Sequence, residues 1–257
     1  QTGTMMTVRV LHAPVVYAPE NWKHDIMLKR IIGGHDCADT ERHYHVQLKM
    51  TNGQKTTICG GSLINHKWIL TAYTCWKSEM GWINVALLKV HPRTGTTMTV
   101  RVLDAPVVYA PENWKHDIML VRLSRRVTGV PFAPLPDCSN HPKIGDTVQL
   151  AGEGRTTTGP NNRSLPDAAI APRLQCVNMK VVEVSHFLPA YGHTFSAAAP
   201  NTDVCHGDAG SAVVFNGMIY GVISAGVSEH PCQRPVSIID VCGYIQWIRG
   251  VLREKIK

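Results

Sequence analysis

The chain has 257 residues, 44% of them hydrophobic and 18% charged. That length suffices for one large all-β or α/β domain or two small ones, and the composition excludes wholesale disorder. Lys plus Arg exceed Asp plus Glu by 26 to 19, a net +7. This excess allows loose attraction to acidic polymers, but no dense Lys/Arg stripe with interleaved aromatics is present, so a nucleic-acid partner is not expected. No apolar run approaches the eighteen or so residues of a membrane-spanning helix.

The N-terminus carries an internal copy. Residues 1–30 repeat residues 93–122 and differ only at Gln1/Arg93, Met5/Thr97, His12/Asp104 and Lys29/Val121. One copied pair is too few for a stacked repeat architecture. A duplicated exon or a sequence-assembly error is the plainer account. The functional account is a pro-segment ending at the dibasic Lys29-Arg30, which competes with residues 93–122 for one place in a sheet or swaps between chains. Residues 1–30 hold no long apolar core of a signal peptide. Since the sequence opens at Gln1, the expectation is that a secretory signal has been removed.

After residue 30 short alternating or apolar runs predict strands. Tyr44, Val46, Leu48 and Met50 alternate with polar neighbours, and residues 67–72 read as a buried strand. Further strands are expected at 98–102, 118–123, 147–151, 180–184, 212–215 and 218–224. Asn52-Gly53, Gly159-Pro160-Asn161-Asn162 and Asn216-Gly217 supply turn chemistry between them. Ile245, Ile248, Val251 and Leu252 recur at helical spacing, with Gln246, Arg249 and Arg253 on the other face, which predicts one amphipathic C-terminal helix. Many strands and one late helix argue for an all-β barrel or sandwich.

Eight cysteines, at 37, 59, 75, 138, 176, 205, 232 and 242, include no Cys-x-x-Cys pair. An even count in that pattern favours disulfides over zinc, and disulfides persist in secreted proteins. Spacing alone leaves on the order of a hundred connectivities open. His43 and His45 lie two apart, on one face if both are in a strand, and read as solvated surface histidines; no metal and no cofactor is expected. Asn162-Arg163-Ser164 is a glycosylation sequon in a turn-rich loop. Cationic Arg249, Arg253, Lys255 and Lys257 complement the helix dipole.

Four stretches appear in order: Ile31-Ile32-Gly33-Gly34 after a basic pair; Cys59-Gly60-Gly61-Ser62-Leu63-Ile64 leading to Trp68-Ile69-Leu70-Thr71-Ala72; Asp117-Ile118-Met119-Leu120; and Cys205-His206-Gly207-Asp208 before Ala209-Gly210. Together they resemble the trypsin-like, chymotrypsin-fold serine proteases, over residues 31–257. The resemblance implies two antiparallel six-stranded β-barrels with a C-terminal α-helix and a cleft between the barrels. It implies disulfides Cys37–Cys176, Cys59–Cys75, Cys138–Cys242 and Cys205–Cys232. It also implies that two bridges of vertebrate trypsins are missing as whole pairs: Val148 and Phe215 stand at the ends of one, and Ser196 at one end of the other.

The chemistry of this family needs a hydroxyl nucleophile, an imidazole base and a carboxylate that orients the base. The motif's histidine falls on Thr74, in Leu70-Thr71-Ala72-Tyr73-Thr74-Cys75, and its nucleophilic serine on Ala209. Only the carboxylate, Asp117, is kept. A threonine hydroxyl is no useful proton acceptor near neutral pH and a methyl group cannot attack a carbonyl. Ser211 and His116 are the neighbours nearest to a rescue, and both are expected to face the wrong way. Losing base and nucleophile together costs on the order of 10⁶ in turnover in a related mechanism.

Other family positions are partly kept. Cleavage after Arg30 would free an α-ammonium at Ile31 to pair with Asp208, and Gly207 and Ala209 match the oxyanion-hole amides. Asp203 matches the acidic base of the specificity pocket, with Ser224 and Gly226 on its edge. Ala225 stands where that edge carries tryptophan, and Val236, where the wall carries glycine, is expected to narrow the pocket. The resulting expectation is a secreted, monomeric, non-catalytic serine protease homologue that binds a protein, an anionic glycan or a microbial surface. The alternative is an active trypsin-like endopeptidase, as the resemblance alone would imply.

Overall fold

A computed structural model describes residues 34–102, 105–153, 173–188, 192–200, 202, 204, 207–224 and 235–254. The strands in chain order are β1 (His35–Asp36), β2 (His45–Thr51), β3 (Thr56–Leu63), β4 (Trp68–Thr71), β5 (Ile83–Leu88), β6 (Met98–Val102), β7 (Val107–Val108) and β8 (Met119–Arg122). They continue with β9 (Thr147–Gly152), β10 (Gln175–Leu188), β11 (Gly192–Ala198), β12 (Ala212–Phe215), β13 (Met218–Ile223) and β14 (Val236–Asp240). One α-helix, α1 (Ile245–Glu254), ends the described chain. No helix among the described residues is long and apolar enough to cross a membrane.

Two antiparallel sheets result. One runs β6-β5-β2-β3-β4-β8-β7 and curls as a half-barrel. The other runs β10-β11-β14-β13-β12-β9, and β9 pairs back onto β10 to close a six-stranded barrel, with β1 added outside on β10. The trypsin-like architecture is therefore present, with ladder closure complete in the second half alone among the described residues.

The hairpins follow their turn residues. Between β12 and β13, Asn216 and Gly217 both have positive φ, 49° and 75°, the geometry that matches the twist of a two-residue hairpin. Between β2 and β3 the Asn52 side chain accepts from the backbone N–H of Gln54 and Lys55.

The cores are separate. The larger one fills the curled sheet with Leu48, Leu63, Leu70, Leu88 and Leu120 and extends to Ile245, Ile248 and Val251 of α1 and to the outward side chains Ile219 and Ile239 of the second barrel. The smaller one, Val148, Leu150, Phe195, Val213 and Ile238 among others, lies inside the closed barrel. Val148 and Phe215, where the resemblance marks a missing bridge, meet this smaller core as apolar side chains.

Three disulfides join described residues: Cys37–Cys176, Cys59–Cys75 and Cys138–Cys242. Cys205 and Cys232 lie outside the described residues, as do Asn162, Lys255, Lys257 and the copied segment 1–30.

β2 departs from the expected pattern. Val46, Leu48 and Met50 face the core, but His45 and Gln47 on the other face are buried too. The second barrel covers that face: Gln47 Nε2 donates to Glu153 Oε2, and Arg42 donates to the side chain and carbonyl of Gln149. His45 is therefore not a solvated histidine. His43 lies ahead of the strand, and its ring nitrogen contacts the Asp39 carbonyl.

Candidate active-site cleft

The carboxylate of Asp117 sits just before β8, almost fully buried. Thr74, in the 3₁₀ turn Tyr73–Cys75, is exposed, and its backbone N–H donates to Asp117 Oδ1 at 2.8 Å. Ser224, just after β13, donates its hydroxyl to Asp117 Oδ2 at 2.6 Å. Both oxygens are thus held by donors from opposite halves of the molecule. Burial raises the Asp117 pKa above the usual carboxylate range, and the hydrogen bonds from Ser224, Thr74 and Tyr73 oppose that rise. Ser224 therefore contacts the carboxylate directly, a role beyond the pocket edge that its motif suggested.

Ala209 closes a turn across the same neighbourhood. Its carbonyl accepts from Gly60 N at 2.8 Å and lies 3.6 Å from Cys75 Sγ, beside the Cys59–Cys75 bridge. Gly210 N donates to the Ile223 carbonyl in the other half. Gly210 has φ of +82°, and a Cβ there would meet Thr71 Oγ1 at 2.2 Å and the Gly60 carbonyl at 2.4 Å, so only glycine fits this crossing. Gly207, two residues before Ala209, also has positive φ, +101°. Asp208 between them is fully buried, its carboxylate against Gly152.

The neighbours that might supply chemistry are occupied otherwise. Ser211 is fully buried, its Oγ packed where a Cβ on Gly60 would stand and without a hydrogen-bond partner. His116 turns toward the second barrel. The Tyr244 hydroxyl oxygen accepts from His193 N at 2.8 Å and shares a 2.8 Å hydrogen bond with His116 Nδ1. Burial, with the neighbouring His193 adding to it, lowers the His116 pKa and so favours the neutral imidazole. Gly192 makes room for the cluster: a Cβ there would stand 1.9 Å from the Tyr244 hydroxyl.

Val236 begins β14 and packs into the core of the closed barrel. Asp203, Gly226, Arg30 and Ile31 lie outside the described residues. The tyrosine–histidine cluster and the Ser224–Asp117 bond escaped sequence reading, because each joins residues more than a hundred positions apart.

The Trypsin family model matches residues 31–248. The beta-fibrinogenase of Macrovipera lebetinus is 29% identical over 233 residues, 86% of this chain and 87% of its own. A snake venom serine protease homolog of Bothrops jararacussu is 30% identical with the same coverage. Among solved structures, neuropsin, a serine protease expressed in the limbic system of mouse brain, matches with a TM-score of 0.65 at 23% identity, over 85% of this chain and 98% of its own, which is a likeness of fold. With those motifs, that cleft and these matches, the chain belongs to the trypsin-like serine protease family.

Proposed function

We propose that this chain is a secreted, non-catalytic member of its family that acts by binding. The observation that carries the reading is the identity of two residues: Thr74, whose backbone N–H meets the Asp117 carboxylate, and Ala209, at the motif position of the attacking hydroxyl. Acyl transfer needs a base that accepts the nucleophile's proton and returns it to the leaving amine. Neither Thr74 nor Ala209 supplies an atom for those steps.

What is retained serves recognition. Gly207 and Ala209 match the residues whose backbone amides form the family's oxyanion hole, and Asp203, Ser224, Gly226 and Val236 match those of its specificity pocket. Arg30, Ile31 and Asp208 match the family's activation switch, in which cleavage would bury a new ammonium beside Asp208. The disulfides and the likeness to venom proteins support an extracellular setting. The names of relatives include both proteases and homologs, so the family alone does not decide activity.

Two measurements on one sample test this. The chain, cleaved after Arg30, is incubated with a fluorophosphonate and, separately, with Arg- and Lys-amide chromogenic peptides. The expected result is no covalent adduct by intact mass and turnover at the level of buffer. An adduct, or turnover that the fluorophosphonate abolishes, would establish the active endopeptidase instead.

A further inference from the structure

A groove of about 350 Å³ opens on the closed barrel, away from Asp117. Ser139, His141, Lys143 and Val184 line it, and Phe195 and Asp240 are its most buried lining residues. The Asp240 side chain is only 7% exposed. It ends β14, where its Oδ1 accepts from Cys242 N at 3.0 Å and caps the 3₁₀ turn Val241–Tyr244. Oδ2 has no hydrogen-bond donor among the described residues, and the nearest cation-forming group is His141 Nδ1 at 3.9 Å, beyond hydrogen-bond reach. A carboxylate so enclosed gains strongly from a charged donor delivered from outside.

The chemistry of the walls narrows the ligand. A metal ion is poorly served, because the third ligating atom nearby is Cys242 Sγ, already tied to Cys138. The walls pair this carboxylate with apolar surface: Val184, 47% exposed, and Phe195 both line the groove. An aliphatic stem ending in a charge suits both parts. Guanidinium suits them better than ammonium, being more weakly hydrated and offering two parallel donors to a carboxylate. Lys143 on the rim repels any cation, but at a solvated edge that repulsion is screened within about 8–10 Å.

We propose that this groove takes the arginine side chain of an extended segment of a partner protein, with the guanidinium on Asp240 Oδ2 and the stem against Val184 and Phe195. The site is separate from the cleft and would operate whether or not the cleft is catalytic.

The test titrates the full chain by calorimetry with acetyl-Val-Arg-Val-amide and with its citrulline analogue, which keeps the shape and loses the charge. The expected result is binding of the arginine peptide at least about tenfold tighter than the analogue. Asp240→Asn should remove that preference, because the asparagine keeps the cap to Cys242 and loses the charge. His141→Glu, at a half-exposed position that tolerates change, should increase the preference. Glu79→Gln, an exposed carboxylate outside both the groove and the cleft, should leave it unchanged. Equal binding of the two peptides, no binding of either, or a preference that survives Asp240→Asn or vanishes in Glu79→Gln would overturn the proposal. If Asp240→Asn does not fold, an unchanged preference in His141→Glu overturns it equally.

Discussion

The two halves of the molecule finish their sheets in different ways. The second closes on itself, β9 pairing with β10, and keeps a compact core inside the ring. The first leaves its ladder open between β6 and β7 among the described residues, and its core is completed by groups from elsewhere: α1, the 3₁₀ turn before it, and the outer face of β13 and β14. The closed barrel is thus completed by its own strands around its own apolar core. The curled sheet depends on the C-terminal segment packed against it through Ile245, Ile248 and Val251, and the Cys138–Cys242 bridge ties the start of that segment down.

Breaking that bridge is the largest expected perturbation. Its ends are 104 residues apart, and closing a loop of that length stabilises by about 4–5 kcal/mol in the chain-entropy account. Replacing Cys138 and Cys242 together by serine should lower the urea midpoint accordingly. Hydrogen exchange should rise first in α1 and in β2, β3 and β8, with β10 and β11 protected for longer. Equal loss of protection in both halves would refute the asymmetry.

Next come the cores themselves. Leu120→Ala in the curled sheet and Ile238→Ala in the closed barrel should each cost about 2–5 kcal/mol, since both side chains are fully buried. Because they belong to separate clusters, the double variant should be additive to within about 0.5 kcal/mol in urea titration. A larger coupling would mean that the two cores act as one.

The face between the halves responds to pH. His45 is buried without a partner for Nε2, and burial, with Arg42, His91 and Arg93 adding to it, lowers its pKa to about 3 from 6.5. The unfolded chain therefore takes up this proton first as pH falls. Stability is intact above 6.5 and is lost as pH drops toward 3, by up to about 1.4 kcal/mol per pH unit. Between pH 6.5 and 5 the wild type should lose about 2 kcal/mol more than His45→Gln. Parallel pH curves for the two proteins would show that His45 is solvated after all.

Much of this was readable in the chain. β6 and β12 match their predicted bounds residue for residue, and the C-terminal helix buries the expected Ile245, Ile248 and Val251. β3 was not read as a strand, because Gly60 and Gly61 interrupt its apolar pattern. Those glycines are there to admit Ser211 and the Ile69 side chain, with which a Cβ would collide. β14 was not read either: Val236-Ser237-Ile238-Ile239-Asp240 neither alternates nor forms an unbroken apolar run, and its position in the ring is set by pairing with β11 and β13. At the cleft, the residue types at 74, 117 and 209 were visible, since chemistry depends on identity. Burial was not: His45 read as a surface residue because an alternating strand exposes its polar face when nothing covers it, and here the other barrel does.

The smallest expected effect bears most directly on the cleft. In a working triad the buried aspartate orients an imidazole and offsets the charge that forms on it. Asp117 has instead the backbone N–H of Thr74 and the hydroxyl of Ser224, both neutral donors. Its pKa is raised by burial, so the folded state holds this proton more tightly than the unfolded chain does. The associated stability is complete below the unfolded value, near 3.8, and is lost as pH rises through the folded one. Asp117→Asn removes that titration, keeps an acceptor for Thr74 N–H, and offers its amide to the Ser224 oxygen. The variant should match the wild type in acid and exceed it by about 1 kcal/mol at neutral pH, read as a gap between their urea midpoints that widens with pH. A variant less stable than the wild type at neutral pH would show that a cation faces this carboxylate, and the reading of Asp117 as a charge without a catalytic partner would fail with it.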